Sequence, residues 1–320
     1  MVIHFLGFAA GLGVIVAGAH FLVRGASGIA LHFGLSRLVV GLTVVAFGTS
    51  SPELAVSLKA ALGGNGGIAI GNIVGSNIFN IAVVLGLSAL IVPLVVHLQI
   101  IRWDVPIMLA VTALFVFFAI GDGVVRRWEG AVLFAGIIAY TVTAVRMARR
   151  EVKAAVEYVP ATTVETVAED PAKLLRCAGL TALGLALLTG GSELLVRNAV
   201  ALAEAWGVGP AVIGLTIVAA GTSLPELATS IVAAFRRETD LAVGNIVGSN
   251  IFNLLCIGGA AGLASPIAAG GIGWLDLGAM ALTSLLLLPL MRTGFRIVRW
   301  EGALLLAIYA GYLFLRWPRS

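Results

Sequence analysis

Two stretches of this chain occur twice, in the same order and at the same spacing. VVGLTVVAFGTSSPELAVSLKAAL (39–62) matches VIGLTIVAAGTSLPELATSIVAAF (212–235), and AIGNIVGSNIFN (69–80) matches AVGNIVGSNIFN (242–253), both at an offset of 173 residues. A weaker match relates RRWEGA (126–131) to VRWEGA (298–303) at an offset of 172. Such regular self-similarity indicates an internal duplication, so the fold must be built from two related halves.

The composition places both halves in a membrane. Hydrophobic residues make up 60% of the chain and charged residues only 11%, whereas soluble domains carry about 25% charged residues. The net charge of +4 therefore predicts basic cytoplasmic loops and no nucleic-acid partner. Cys177 and Cys256 lack metal-ligand spacing and are interpreted as buried thiols without a redox role.

Ten segments are long and apolar enough to cross a bilayer, which takes roughly 17–25 residues per helix. The predicted class is therefore an all-α polytopic membrane protein. Residues 1–147 form a first five-helix repeat, 148–173 a polar linker and 174–320 a second five-helix repeat. The first segment is interpreted as a retained helix and not as a signal peptide. The ten predicted spans are 3–23, 37–62, 68–95, 104–121, 128–147, 174–197, 210–235, 241–266, 274–291 and 300–317.

An odd number of spans per repeat fixes how the halves relate. With five helices in each, the second half must enter the membrane from the opposite side, which predicts an inverted repeat of the kind found in many secondary transporters. If the N-terminus lies outside, fourteen Lys and Arg residues fall inside and six outside. Basic residues concentrate in cytoplasmic loops, so both termini are predicted outside and the linker inside. The alternative is a duplication retained only for packing.

The first repeated motif, GTSSPE, combines a helix breaker with a carboxylate. Because Pro52 has no N–H, the carbonyl of Gly48 should lose its helical partner, and the break should leave further carbonyls loose, Ala46 among them. Thr49 and Glu53 are four residues apart and share a face. The second copy repeats this with Ala219, Gly221, Thr222, Pro225 and Glu226.

The second repeated motif, GNIVGSNIFN, places three polar residues on one stripe of a membrane helix. They are Asn72, Ser76 and Asn80 in the first copy and Asn245, Ser249 and Asn253 in the second. The glycines of the motif are helix-packing signals and would bring this stripe against the broken helix. The resulting ring of oxygen ligands, without sulfur or histidine, favours Na⁺ or Ca²⁺ over zinc or copper.

Glu53 and Glu226 decide between a functional and a structural interpretation. A charged side chain at the bilayer centre costs about 2.5–3.5 kcal/mol on insertion scales, and two carboxylates close together also repel each other. A bound cation would remove both penalties. The alternatives are a pair of protonated structural glutamates, or glutamates hydrogen-bonded to the nearby asparagines.

These paired motifs resemble the α-repeats of the sodium/calcium exchanger family, within the cation/Ca²⁺ antiporter superfamily. The resemblance covers the whole membrane chain and is closest to prokaryotic members without regulatory domains. It implies ten helices with both termini outside, and a central diamond made of helices two, three, seven and eight. It also implies that helices one and six slide across that core to alternate access.

The resemblance also implies a set of coordinating residues. By position they are Ala46, Thr49, Ser50, Glu53, Ser76 and Asn80 in the first half, and Ala219, Thr222, Ser223, Glu226, Ser249 and Asn253 in the second. One position departs from the family pattern, because several exchangers have Asp where this chain has Asn253. That change removes one possible negative charge and bears on ion preference and stoichiometry.

The sequence thus predicts a secondary antiporter that exchanges Na⁺ for Ca²⁺ in the cell membrane, with lipid and the two ions as partners and without cofactor or obligate protein partner. The alternative within the same fold is exchange of H⁺ or another cation for Ca²⁺. A channel is disfavoured, because it needs a continuous pore where this chain has one midplane site. An intramembrane enzyme is disfavoured because no nucleophile–base pair or His/Cys metal triad occurs.

Overall fold

The computed structural model describes residues 1–157, 171–206 and 219–316. Within these ranges the chain is helical apart from four two-residue strands. The strands are β1 (Leu94–Val95), β2 (Val124–Val125), β3 (Ile267–Ala268) and β4 (Arg296–Ile297). The helices are α1 (Val2–His32), α2 (Arg37–Thr49), α3 (Ser51–Leu62), α4 (Gly66–Ile91), α5 (Ile100–Gly121), α6 (Arg127–Glu157), α7 (Pro171–Ala205), α8 (Ala219–Thr222), α9 (Leu224–Phe235), α10 (Thr239–Ala264), α11 (Trp274–Arg292) and α12 (Arg299–Arg316).

Seven of the described helices are long and apolar enough to cross a membrane: α1, α4, α5, α6, α7, α10 and α11. Helices α2 and α3 would form an eighth span, bent by 46°. Helix α9 is apolar but has only 12 residues in the described part, and α12 carries Arg299, Glu301 and Arg316. An all-helical polytopic membrane protein is therefore confirmed, whereas the count of ten spans stays a prediction.

Several helices run past their predicted ends. Helix α1 continues to His32 and not to residue 23, and α7 extends to Ala205 and not to residue 197. The predicted linker is also partly helical, since α6 continues to Glu157 and α7 begins at Pro171; residues 158–170 lie outside the described ranges. The predicted span 3–23 stopped before Arg24, whereas the helix continues past this charge through small buried residues, including Gly25 and Ala26.

Glycines at seven-residue intervals join α1 to α7. A side chain added at Gly11 would lie 2.8 Å from the backbone nitrogen of Leu195, and one at Gly18 would lie 2.8 Å from that of Leu188. Gly25 repeats the arrangement one heptad later, 2.6 Å from the nitrogen of Thr181. Since only glycine allows so close an approach, these two helices pack backbone to backbone as an antiparallel pair.

Helices α4 and α10 occupy the centre of the molecule. Every residue of α10 from Leu241 to Phe252 is buried. Its motif glycines contact α2 directly, since a side chain at Gly244 would lie 2.8 Å from the carbonyl oxygen of Leu38 and one at Gly248 would lie 2.6 Å from that of Leu42. The predicted close packing is therefore confirmed for the second copy of the motif only, because a side chain at Gly71 would meet just the side chain of Ile272 at 3.4 Å and one at Gly75 would meet nothing within 4 Å.

Two short ribbons tie the halves of the chain together. Strand β1 pairs with β4, and β2 pairs with β3, both antiparallel. Each ribbon joins one strand from each half, and the two ribbons are related by the same offsets as the sequence repeat. These strands are too short to be read from hydrophobic pattern, and the sequence did not predict them.

Candidate cation site

Two broken helices from opposite halves carry the GTSSPE and GTSLPE motifs. Helix α2 ends at Thr49 and α3 starts at Ser51, whereas α8 ends at Thr222 and α9 starts at Leu224. Pro52 and Pro225 occupy the first turns of α3 and α9, where a missing N–H costs no hydrogen bond. The predicted breaks are therefore present in both copies.

The carbonyl groups at the first break are not loose. The N–H of Ser50 bonds to the carbonyl oxygen of Ala46 at 3.1 Å, and the hydroxyl of Thr49 also donates to it at 3.4 Å. The carbonyl of Gly48 also accepts a backbone N–H at the cap of α2. Gly48 has lost its usual donor, as predicted, because Pro52 has no N–H, but another backbone N–H replaces it. The prediction that the carbonyl of Ala46 is loose was wrong, because Ser50 and Thr49 both bond to it.

The two glutamates lie at the centre of a network that crosses between the halves. Glu53 is 1% exposed and Glu226 is fully buried. The hydroxyl of Ser50 donates to Oε1 of Glu226 at 2.7 Å, and the hydroxyl of Ser223 donates to Oε1 of Glu53 at 3.1 Å. Each carboxylate is thus held by the serine of the other half, so the breaks face each other.

Asn72 and Asn245 brace this arrangement. The Nδ2 of Asn72 donates to the backbone carbonyl of Glu53 at 3.2 Å and to the hydroxyl of Ser57 at 2.9 Å, and its Oδ1 accepts the hydroxyl of Thr222 at 3.4 Å. Asn245 makes the equivalent bonds in the second half, to Glu226, Ser230 and Thr49. Both sides of each amide are hydrogen-bonded, so these two asparagines position the motif, and neither belongs to the coordinating set that the family resemblance implies.

Seven buried polar atoms of the predicted residues have no hydrogen-bond partner in the described part of the chain. They are Glu53 Oε2, Glu226 Oε2, Ser76 Oγ, Ser249 Oγ, Asn80 Oδ1, Asn253 Oδ1 and Asn253 Nδ2. Six of the seven are oxygens, and these form three pairs related by the repeat. Leaving a buried polar atom unsatisfied costs about 1–3 kcal/mol, so these repeat-related oxygens are candidate ligands for a cation.

The remaining predicted residues are less symmetric. Thr49, Ser50 and Ser223 are buried and hydrogen-bonded within the network, whereas Thr222 is partly exposed. Ala219 is the first residue of α8, and no contact of its carbonyl is described. The described hydrogen bonds therefore bring together Thr49, Ser50, Glu53, Thr222, Ser223 and Glu226 through the two bracing asparagines. No described bond joins Ser76, Ser249 or Asn253 to them, and the two alanine carbonyls stay a prediction.

Sequence reasoning missed several supporting features. Ser57 and Ser230 each follow a site glutamate by four residues, so their place on the same helix face could have been read from spacing. Asn80 and Asn253 each begin a π-helical turn, Asn80–Leu85 and Asn253–Ile257. Such turns are rare and frequent at functional sites, but no pattern in the sequence predicts them.

The halves differ around these turns. The Nδ2 of Asn80 donates to Oδ1 of Asn250 at 3.3 Å. The residue equivalent to Asn250 in the first half is Asn77, whose amide instead donates to the carbonyl of Ile73 at 2.7 Å. Asn253 is consequently left without a described partner on either atom of its amide.

Two crevices approach the network, one from each half. The α12 crevice, of about 320 Å³, is bounded by α4, α11 and α12 and reaches Asn72, Ser76 and Thr222 of the network. The α6 crevice, of about 580 Å³, lies between α2, α6 and α10 and is lined by the equivalents Gly248, Phe252 and Tyr140. Its described lining includes none of the six free oxygens or their bracing asparagines.

Comparison with known proteins agrees with this geometry. The family model described as "sodium/calcium exchanger protein" matches residues 3–146 and 177–317. This chain belongs to the sodium/calcium exchanger family. It is 40% identical to the putative antiporter CaxA of Alkalimonas amylolytica, over 95% of this chain and 96% of that protein. It is 32% identical to the sodium/calcium exchanger MaX1 of Methanosarcina acetivorans, over 97% of each.

Solved structures of the sodium–calcium exchanger NCX_Mj have the same fold. The structure soaked with 2.5 mM Na⁺ and 0.1 mM Ca²⁺ superposes with a TM-score of 0.83, at 32% identity and with both chains fully covered. The predicted family and helical fold are therefore confirmed.

Proposed function

We propose that this protein is a secondary antiporter that exchanges Na⁺ for Ca²⁺ at the site between the two broken helices. The observation that carries this proposal is the set of six paired free oxygens. Ca²⁺ takes 6–8 oxygen ligands, including carboxylates. Family membership and the relatives named as exchangers support the same ions.

The proposed ligands are the predicted set, in three functional groups. Glu53 and Glu226 supply charge, and Ser76, Ser249, Asn80 and Asn253 supply neutral oxygens. Thr49 and Thr222 belong to the proposed set as hydroxyl ligands, and their hydrogen bonds to Asn245 and Asn72 hold them beside the broken helices. Ser50 and Ser223, together with the carbonyls of Ala46 and Ala219, complete the proposed set.

Ten spans in two inverted repeats are proposed for the whole chain, with repeats over 1–147 and 174–320. The strand pairs support this count, because two strands can pair only if an even number of spans separates them. Six spans separate β1 from β4 if α8 and α9 belong to one span, and four spans separate β2 from β3. Each pair therefore lies on one side of the membrane. Exposed tryptophans at helix ends, Trp103, Trp128, Trp206, Trp274 and Trp300, suit the two interfaces.

Both termini are proposed outside, and the linker over 148–173 in the cytoplasm. To test this, single cysteines would be placed at Asn65, in the turn after α3, and at Arg236, in the turn after α9. In a background without Cys177 and Cys256, Asn65→Cys should react with a membrane-impermeant maleimide from outside and Arg236→Cys from inside. Reaction of both from the same side would contradict the inverted repeat.

Alternating access is proposed to switch the site between the two crevices. The unequal crevices support a conformation in which ions reach the site through the α12 crevice, on the outer side. Asn72 and Thr222 are partly exposed, whereas their equivalents Asn245 and Thr49 are buried. In the opposite conformation the α6 crevice would reach Asn245 and Ser249.

Flux measurements test the exchange directly. Proteoliposomes loaded with Na⁺ and diluted into Na⁺-free buffer should take up ⁴⁵Ca²⁺, and liposomes loaded with K⁺ or choline should not. The competing proposal, H⁺/Ca²⁺ exchange, rests on glutamates that could carry protons. It predicts uptake driven by an acidic lumen at equal Na⁺ on both sides, so holding pH clamped while the Na⁺ gradient is varied separates the two.

A further inference from the structure

Away from the cation site, each half contains a buried Asp–Tyr pair. The hydroxyl of Tyr140 donates to Oδ1 of Asp104 at 3.0 Å, and the hydroxyl of Tyr312 donates to Oδ1 of Asp276 at 2.8 Å. The pairs are related by the offset of 172 and join the first turns of α5 and α11 to the helices that follow them. Both aspartates are almost fully buried.

In the second half, the carboxylate is fully partnered. Besides Tyr312, Asp276 accepts the backbone N–H of Gly273 at 3.0 Å on Oδ2 and pairs with the guanidinium of Arg316 at 3.1 Å on Oδ1. Arg316 also donates to the carbonyl of Gly271 at 3.0 Å. A positive charge thus compensates the buried Asp276.

In the first half, both additional partners are missing. The residue equivalent to Arg316 is Ala144, whose methyl group supplies neither charge nor donor. The start of α5 is a π-helical turn, Ile100–Asp104, in place of the extended residue that precedes α11. Asp104 is 3% exposed, and its Oδ2 has no hydrogen-bond partner in the described part of the chain. Gln99 adds a neutral hydrogen bond to this carboxylate, but no described side chain compensates its charge, and an uncompensated buried carboxylate is expensive. A cation bound beside Asp104 would remove that cost.

A crevice opens beside Asp104. It has a volume of about 380 Å³ and lies between α5 and α6, with Leu255 of α10 at its inner wall. Its described lining is apolar except for Gln99, Tyr140, Thr143 and Asp104 itself, and it contains no basic side chain. An acidic group at one end of an apolar crevice fits a ligand with one cationic head and an apolar body.

We infer that the Asp104 crevice binds the head of an amphipathic organic cation, a primary ammonium or a guanidinium, in the place that Arg316 fills within the other half. The Asp276–Arg316 pair shows what a cation does at the equivalent position. This site is separate from the cation site between the broken helices and does not depend on the proposed exchange.

The position of the crevice indicates where such a cation comes from. Trp103, at the mouth of the crevice, is 53% exposed, and exposed tryptophans at helix ends suit the membrane interface. Phospholipids with a primary ammonium headgroup present the required chemistry at that depth. A soluble amphipathic amine presents the same chemistry, so the test has to separate these two sources.

Calorimetric titration of the purified protein with octylguanidinium tests the site itself. The wild-type protein should bind one equivalent. Asp104→Asn, which keeps the shape but removes the charge, should weaken binding at least tenfold. Ala144→Arg should remove it, because the new guanidinium occupies the crevice. Equal binding by wild type and Asp104→Asn would overturn the inference, and so would the absence of saturable binding to the wild type.

The second half provides the matched control. Arg316→Ala empties the equivalent position at Asp276 and should add a second equivalent of bound octylguanidinium. If Arg316→Ala fails to fold, Asp276→Asn should leave the wild-type stoichiometry unchanged. Gel filtration and circular dichroism check the fold of each variant, since Asp276 and Arg316 line the α12 crevice and their replacement could alter Ca²⁺ uptake directly. Loss of the single wild-type site in Asp276→Asn would contradict the assignment to Asp104.

The lipid source is tested by reconstitution. Adding phosphatidylethanolamine to phosphatidylcholine vesicles should raise the Tm of the wild type by a few degrees and leave Ala144→Arg unchanged, since a quaternary ammonium cannot donate the hydrogen bonds that a primary one can. If octylguanidinium binds but the lipid has no effect, the site stands and its occupant is a soluble cation. An equal rise in both proteins would count against a headgroup at Asp104.

Discussion

The two crevices that approach the cation site are built from equivalent helices, yet only one reaches the network. In the α12 crevice the lining includes Asn72 and Ser76. In the α6 crevice, Phe47 lies against Phe252 with ring centroids 5.2 Å apart and an edge-to-face angle of 78°. The residue that corresponds to Phe47 in the second half is Ala220. The duplicated motif therefore differs between the halves at a position that lines the α6 crevice.

This difference shows that two repeats can contribute equivalent residues to one site while different residues line the crevices that lead to it. Every residue of the proposed ligand set has the same type in both halves. The residues around it are not matched, as Phe47 and Ala220 illustrate. The residues proposed to bind the ion are therefore symmetric between the halves, whereas the residues that line the crevices are asymmetric and favour one conformation.

The largest expected effect tests how far the symmetry of the site extends. Glu53→Gln and Glu226→Gln should each reduce Na⁺-driven Ca²⁺ uptake to the level of empty liposomes, because each removes half of the negative charge that replaces the hydration of Ca²⁺. The matched control is Glu193→Gln, whose exposed carboxylate contacts Arg197. Near-normal uptake in either site variant would mean that its carboxylate is structural.

The crossed serine bonds should be nearly as sensitive and should not be equal. Hydrogen bonds to charged groups contribute about 1.5–3 kcal/mol, so Ser50→Ala and Ser223→Ala should each raise the KM for Ca²⁺ roughly tenfold or more. Ser50 makes the shorter bond, 2.7 Å against 3.1 Å, and should show the larger change. Initial rates over a range of Ca²⁺ concentrations measure both. Unchanged KM values would place these serines outside the binding step.

Chemical labelling tests the two crevices themselves. In a background without Cys177 and Cys256, Ser76→Cys should react with a small water-soluble thiosulfonate about tenfold faster than Ser249→Cys. Adding Phe47→Ala should speed the reaction at position 249, because it uncovers the α6 crevice, and adding Ala220→Phe should slow the reaction at position 76. If Phe47→Ala leaves both rates unchanged, this ring does not control access.

The smallest expected effect concerns charge movement and Asn253. Two ionised glutamates are neutralised by one Ca²⁺, whereas three Na⁺, the number that the family resemblance suggests, leave one positive charge. Moving one charge across the membrane is worth about 2.3 kcal/mol per 100 mV. Export of three Na⁺ for one Ca²⁺ moves positive charge outward, so an inside-positive potential should speed Ca²⁺ uptake into liposomes several-fold.

Valinomycin and a K⁺ gradient set that potential. Uptake that ignores it would indicate that two Na⁺ exchange for one Ca²⁺. Asn253→Asp would then show whether the neutral amide is the cause, because restoring the carboxylate should restore the dependence on potential.

Much of this architecture could be predicted from the sequence because the repeat and the apolar spans are both explicit. The breaks at Pro52 and Pro225 and the pairing of Glu53 with Glu226 follow from a proline, a carboxylate and an odd span count. The bonding of Ser50 to Glu226 could not be derived from spacing alone, since it depends on how two distant helices meet; the family resemblance alone singled out those serines. A free carbonyl at Ala46 was predicted from the helix break at Pro52. In the structure the N–H of Ser50 and the hydroxyl of Thr49 bond to this carbonyl.

The two ribbons also constrain how the molecule moves. Each fastens one half of the chain to the other, and on the proposed topology one lies at each face of the membrane. A hinge motion that separated the two halves at one face of the membrane would break the ribbon at that face each time the site opened there. We propose instead that α1 and α7, which the glycine contacts hold together, slide as one unit, because this motion would leave both ribbons intact. On this proposal the remaining helices stay fixed, and the distance that α1 and α7 slide across them determines which crevice is open.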